Sequence, residues 1–144
     1  MSSRRKAREF ALQLLFQQDL ASHSLKEVTS LFWKLNPADE TTREFAEFLF
    51  HEALRHQKKI DAMIRRHTLH WRLERMAAVD RNILRMAVAE FLCTTTPKVV
   101  VIDEAIEIAR KFSGDEATEF VNGVLDAIRG ELEEEPDGSR EESQ

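Results

Sequence analysis

Apolar residues return every three or four positions along most of this chain, and that spacing selects one kind of element. In RRKAREFALQLLFQQD, residues 4–19, Ala7, Phe10, Ala11, Leu14 and Leu15 fall on a single helical face. Ser24 followed by Glu27 has capping-box spacing and opens a helix through Leu25, Val28, Leu31, Phe32 and Leu35, which Asn36-Pro37 ends. Thr41 with Glu44 reads as a second capping box. Phe45, Phe48, Leu49, Ala53, Ile60, Met63 and Ile64 then trace one long helix to about Arg66. The pattern breaks around Trp71 and resumes from about Ala77 to Cys93, with Val79, Ile83, Met86, Ala87 and Phe91 as its buried stripe, until Thr94-Thr95-Thr96 stops it.

The run Val99-Val100-Val101-Ile102 has the composition of a buried strand. Thr96-Pro97, however, supplies an N-cap and a first-turn proline, and the polar residues that follow leave Val99, Ile102, Ala105, Ile106 and Ala109 on one face of a helix. A last helix starts near Asp115 and carries Phe120, Val121, Val124, Leu125 and Ile128; Gly123 inside it predicts a close helix contact. Phe10, Phe45, Phe48 and Phe120 are core positions by periodicity. Only four glycines and three prolines interrupt 144 residues, so the fold class is all-α, with six to seven helices. The 42% hydrophobic content fills one core, which predicts a single helical domain over residues 1–130. Residues 131–144 have lost the periodicity and read as a disordered acidic tail that folding does not need.

Charge is distributed less evenly than the net value of -5 implies. The tail holds seven acids and one base, which leaves the body at +1, and positions 55–85 carry nine Lys or Arg against three acids. A second basic cluster, Arg4, Arg5, Lys6 and Arg8, sits at the start of the first helix. The helix dipole disfavours cations there, so a gain elsewhere is needed, and a bound polyanion supplies one. On this reading the three arginines contact phosphates from one side of the helix, and none of them supports folding.

The residues exclude much chemistry. Cys93 is the only cysteine, which rules out an internal disulfide and a cage of thiolates and fits a reducing cytoplasm. It ends a helix, where the dipole raises a thiol pKa, and has no histidine near it in sequence, so it reads as a packed, inert thiol. His51 and His56 flank Glu52 but stand five residues apart and point about 140° away from each other, too far for one metal. His67 and His70 flank a helix break and make no ligand pattern. The glycines, at 114, 123, 130 and 138, form no phosphate loop, so no cofactor is expected and nothing demands an enzyme. No apolar run approaches the roughly 20 residues that cross a bilayer, and no leader follows the basic start.

Three stretches, RRKAREFALQLLFQQD, then VDRNILRMAVAEF followed after a proline by VVVIDEAIEIARKF, then FVNGVLDAI at 120–128, resemble the bacterial transcription antitermination factors of the NusB family in order and spacing. The resemblance implies two packed bundles of three or four helices. It also implies binding of single-stranded boxA RNA from ribosomal RNA leaders jointly with NusE, a small-subunit ribosomal protein, and delivery to an RNA polymerase antitermination complex. It leaves open a homodimer of the free protein. By the same resemblance Arg4, Arg5, Lys6 and Arg8 match an arginine-rich RNA-binding start, and Gln13 and Phe16 match RNA-side positions further along. Glu74, Asp80 and Arg85 match the partner and RNA side of the middle bundle. Arg85 has a structural rival reading, a buried ion pair with Glu90 or Glu104.

Two departures stand out: the chain has no tyrosine, where relatives often have one near position 16, and it carries the acidic tail. Two other classes compete with RNA binding in antitermination. One is a helical adaptor whose basic face meets an acidic protein, and the other is a detached RNA-binding domain of an RNA-modifying enzyme. The lack of a cofactor loop or second domain weighs against the latter.

Overall fold

The computed structural model describes residues 3–21, 24–68 and 73–134. Seven α-helices are found among them: α1 (Ser3–Leu20), α2 (Leu25–Leu35), α3 (Glu40–Arg55), α4 (Gln57–Arg66), α5 (Ala78–Cys93), α6 (Lys98–Phe112) and α7 (Asp115–Glu133), with a short 3-10 turn, Leu73–Arg75, ahead of α5. No strand occurs among the described residues. Among the described residues, no helix is long and apolar enough to cross a membrane.

The packing centres on α5, which touches α1, α3, α4, α6 and α7. Every residue from Asn82 to Phe91 is buried, as a helix enclosed on all sides requires. On one side α1 and α3 pack together, with α2 laid against α1 by edge-to-face contacts among Phe10, Phe32 and Trp33. On the other side α6 pairs with α7, and α4 closes the gap between α3, α5 and α7. The two sub-bundles therefore share α5. Fully enclosed side chains such as Phe32, Phe50, Leu14, Ile60, Ile83, Ile108 and Leu125 each contribute roughly 1.5–3 kcal/mol by leaving water.

Several ends differ from the expectation. Ser24 does cap α2, its hydroxyl accepting the Glu27 N–H at 3.2 Å. In α3, however, the cap is Asp39, whose Oδ1 accepts the Thr42 N–H at 2.8 Å; Thr41 already lies inside the helix. That bond to a backbone N–H holds the Asp39 carboxyl below the usual carboxylate range. The long helix to Arg66 is two helices, because His56 leaves helical geometry at φ -104°, ψ 19°. No glycine or proline marks that break. Gly114 does mark its own turn: at φ +123° it links α6 to α7 in a conformation L side chains rarely adopt, and its N–H donates to Ala109 O.

Two apolar assignments move outward. Phe48 and Val99 are exposed, and α6 buries Val101, Ile102, Ala105, Ile108 and Ala109 instead. Gly123 faces open space, with no atom beyond its chain neighbours and its own helix backbone within 4 Å of where a Cβ would stand, so no close helix contact requires it. Finally, α7 continues through Gly130 to Glu133, and Glu131 bonds Arg66 and His67. A cut at Gly130 would thus remove a tertiary contact, contrary to the reading of 131–144 as dispensable. Trp71, His70 and the tail beyond Glu134 lie outside the described residues.

Candidate nucleic-acid interface

The basic start of α1 is not a single patch, because each residue turns the helix by 100° and sends its four cations in different directions. The Arg4 guanidinium stacks 3.9 Å above the Phe45 ring of α3. Arg5 reaches α6, where its Nε and Nη2 donate to Glu104 Oε1 and Oε2, both at 2.9 Å. Lys6 stays near its own helix, with Nζ 4.9 Å from the Phe10 ring centre and 3.9 Å from Glu9 Oε1. Arg8 turns inward. Its Nε and Nη2 donate to Glu90 Oε1 and Oε2 of α5 at 2.8 and 2.7 Å, and both residues are buried.

Arg8 is therefore an internal ion pair and is withdrawn from the row of phosphate contacts. The expectation failed because periodicity places Arg8 near the helix start but says nothing of the carboxylate waiting 82 residues later. Glu90, which had been a candidate partner for Arg85, belongs to Arg8.

What remains on the surface is layered. Glu9 and Glu104 lie low, with side chains 8% and 18% exposed, while Arg5 and Lys111 stand above them at 44% and 58%. Lys111, from the last turn of α6, meets Glu9 Oε1 at 3.0 Å and was missed in the sequence, which gives no sign that α6 ends beside α1. The Arg5 hydrogen bonds, helped by the charges of Arg5 and Arg8, outweigh burial and hold the Glu104 carboxyl below its ordinary range; Arg5 is raised in return. Acids at the base thus orient cations whose outer faces remain open to solvent.

Further along α1, Gln13 lies seven residues beyond Lys6 and Phe16 eleven beyond Arg5, each within about 20° of whole helical turns. Both are half-buried on that same side. Phe16 also lines a largely apolar groove of about 440 Å³ with Leu20, Val28 and Leu31. One continuous strip therefore runs from cations to an amide and an aromatic ring. That combination suits a polyanion bearing flat bases.

The three residues expected on the partner side separate. Glu74, in the 3-10 turn, is exposed and accepts from Arg65 Nη2 at 2.8 Å. Asp80 is half-buried in the first turn of α5, accepts the Ser113 hydroxyl at 2.7 Å, and lines an open cleft of about 380 Å³ with Arg75, Met76, Glu116 and Phe120. Arg85 is buried, and its Nε and Nη2 donate to Asp61 Oδ1 and Oδ2 at 2.9 and 3.0 Å. The structural reading of Arg85 holds, but with Asp61 as its partner.

Asp19, at the end of α1, completes this inner network. Its Oδ2 accepts from Arg81 Nη2 at 2.7 Å and from Asn82 Nδ2 at 2.9 Å, with Arg85 Nη1 3.4 Å away. Arg81 also donates to the Leu73 and Met76 carbonyls, which fixes the turn ahead of α5. Burial pushes the Asp19 carboxyl up, but the bonds from Arg81 and Asn82 and the two guanidinium charges prevail and hold it below the usual range. Four of the nine cations of the second basic region are paired in this way: Arg65 meets Glu74, Arg66 meets Glu131, Arg81 meets Asp19 and Arg85 meets Asp61. Among the described residues, one group of metal-type ligands converges, Glu52, His56 and Cys93.

The comparisons with known proteins agree with this architecture. Residues 5–129 match the model of the NusB family. A protein of Koribacter versatilis named transcription antitermination protein NusB is 52% identical over 135 residues, covering 92% of each chain. A crystal structure of the antitermination factors NusB and NusE in complex with double-stranded RNA superposes with a TM-score of 0.79 at 32% identity, over 89% of this chain and 96% of that one. The solution structure of NusB from Aquifex aeolicus gives a TM-score of 0.81 at 28% identity, over 94% and 95%. Helices, order and spacing match along nearly the whole described body, and the chain belongs to the NusB family.

Proposed function

We propose that this chain is an RNA-binding transcription antitermination factor that takes boxA-type single-stranded RNA along α1 together with NusE. As part of an RNA polymerase antitermination complex in the cytoplasm, it supports processive transcription of ribosomal RNA operons. The observation that carries the reading is the layered strip on α1 and α6. Arg5, Lys6 and Lys111 supply phosphate contacts, and Gln13 and Phe16 lie in line to meet base edges and faces. A half-exposed ring stacks only on a base that is not paired in a duplex, which favours a single strand. The solved complex of a related NusB with NusE and double-stranded RNA supports joint binding of NusE and RNA, not the choice of strand. Arg4, held over Phe45, flanks the strip, while Arg8 supports it from inside.

Glu74 and Asp80 are proposed to face NusE, with the cleft beside Asp80 as the contact surface. Arg85 acts on that side only by fixing α5. The helical body is one domain, and the acidic tail lies beyond it.

The test measures binding of the full chain to a boxA-like single strand, a scrambled single strand and a duplex, each with and without NusE. NusE should tighten the boxA-like complex most, and RNA should tighten NusE by the same factor, as linkage requires. Equal affinity for all three RNAs regardless of NusE overturns the reading. NusE binding with no RNA binding at all replaces it with the adaptor function.

A further inference from the structure

The sequence places Cys93 far from any histidine, but the fold does not. Glu52 and His56 stand one turn apart at the end of α3, and Cys93 is the last residue of α5, packed against them. Cys93 Sγ lies 3.6 Å from Glu52 Oε1, His56 Nε2 lies 3.3 Å from the same oxygen, and all three ligand atoms are within 4.8 Å of one another. For a tetrahedral zinc ion, with bonds of about 2.3 Å to sulfur and about 2.0–2.1 Å to nitrogen and oxygen, the S···O and N···O edges are about 3.5 and 3.4 Å. The two observed separations match those edges. We propose that Glu52, His56 and Cys93 form a binding site for one thiophilic divalent cation of the zinc type, with its fourth position left to water.

The surroundings fit. Glu52 is largely shielded, with its side chain 15% exposed, so its carboxylate is a fixed base for the ion. His56 is a helix junction whose side chain makes no capping bond, and its ring contacts Glu52, the carboxylate of the same site. The negative end of α3 is offset by the start of α4 at the same residue, but α5 ends at Cys93 with nothing helical continuing it, so its carbonyl end favours a cation. Two cations oppose an ion. Lys59 acts on Cys93 from nearby, and Arg55 Nη1 lies 3.7 Å from Glu52 Oε2, but the Arg55 side chain is 70% exposed and the pair is weak and easily released. The donor set of one sulfur, one imidazole and one carboxylate selects zinc-like ions over magnesium or calcium, which take oxygen ligands. A bound ion would fasten the α3–α4 junction to the end of α5.

Metal-stripped full-length protein should be titrated with Co²⁺ and followed by absorption, then with Zn²⁺ as competitor. One Co²⁺ per chain should bind with a near-ultraviolet sulfur-to-cobalt charge-transfer band that Zn²⁺ abolishes and Mg²⁺ leaves intact. Cys93→Ser should remove the band. His56→Gln, checked for unchanged helicity by circular dichroism, should weaken Zn²⁺ binding by at least about tenfold, the loss that follows even from disturbing a ligand's support. Independently of any variant, Zn²⁺ should slow alkylation of Cys93 by iodoacetamide in the native chain. Absence of the charge-transfer band, unchanged alkylation with Zn²⁺, or a band indifferent to His56→Gln overturns the site.

Discussion

Arg5 and Arg8 stand three residues apart on α1 and do different work, which single substitutions should separate. Arg8→Gln leaves Glu90 as an uncompensated carboxylate at 1% exposure, and breaking a buried pair from one side costs about 3–5 kcal/mol. At about 2–4 °C per kcal/mol for a chain of this size, the melting temperature should fall by about 6–20 °C. The double variant Arg8→Gln with Glu90→Gln should recover much of the loss, because two amides can bond each other without charge. Arg5→Gln, at a solvated pair, should change stability little; a loss comparable to that of Arg8→Gln would show that the outer pair is structural too. Asp19 offers a pH test. Its carboxyl is held below its unfolded value, so the folded chain binds fewer protons there and the stability it contributes is present above the ordinary aspartate range. That contribution is lost as pH falls through the folded value. Asp19→Asn should therefore unfold more readily than the native chain at pH 7, and denaturant titrations should show the gap closing on acidification. A gap constant with pH would place the effect in hydrogen-bond geometry and not in charge.

Helices were legible in the sequence because their apolar spacing is local information. The course of α1, α2, α5, α6 and α7 could be read that way, as could the Ser24 cap. Ends and partners were less so. The break at His56 carries no glycine or proline, and Asp39 displaced Thr41 as a cap by offering a carboxylate two residues earlier. Phe48 and Val99 were assigned to the core because a wide apolar helix has more candidates than the interior has room. Nothing in a linear pattern tells which carboxylate will meet Arg5 or Arg8, since those contacts span 99 and 82 residues. The site was correspondingly half visible, with the cations legible and Lys111, the supporting acids and the Cys93 neighbourhood not. Gly123 gives a prediction at this scale. It lies exposed within α7 with open space around it, so Gly123→Ala should stabilise the protein by up to about 1 kcal/mol through helix propensity, read as a higher denaturation midpoint with an unchanged slope. A destabilised variant would mean that something packs on α7 there.

For the molecule as a whole, the proposed function assigns RNA contact to the cations left outside the core. Replacing Arg5, Lys6 and Lys111 together by Gln should make the dependence of log affinity on log salt shallower by roughly 0.7 per phosphate lost, about 2 for three contacts. The loss should be similar for boxA-like and scrambled strands, because phosphate contacts carry no sequence information. An unchanged slope, measured by titration at several salt concentrations, would move the RNA path off this strip. The central place of α5 has one more consequence, for the order of synthesis. At about 5–20 residues per second, Arg8 is joined to the chain roughly 4–16 s before Glu90, 82 residues later. During that interval its amphipathic helix has neither α5 to cover its apolar side nor Glu90 to neutralise Arg8. Until α5 arrives, a growing chain of this protein therefore carries Arg8 without its carboxylate, on the side of α1 that later becomes interior.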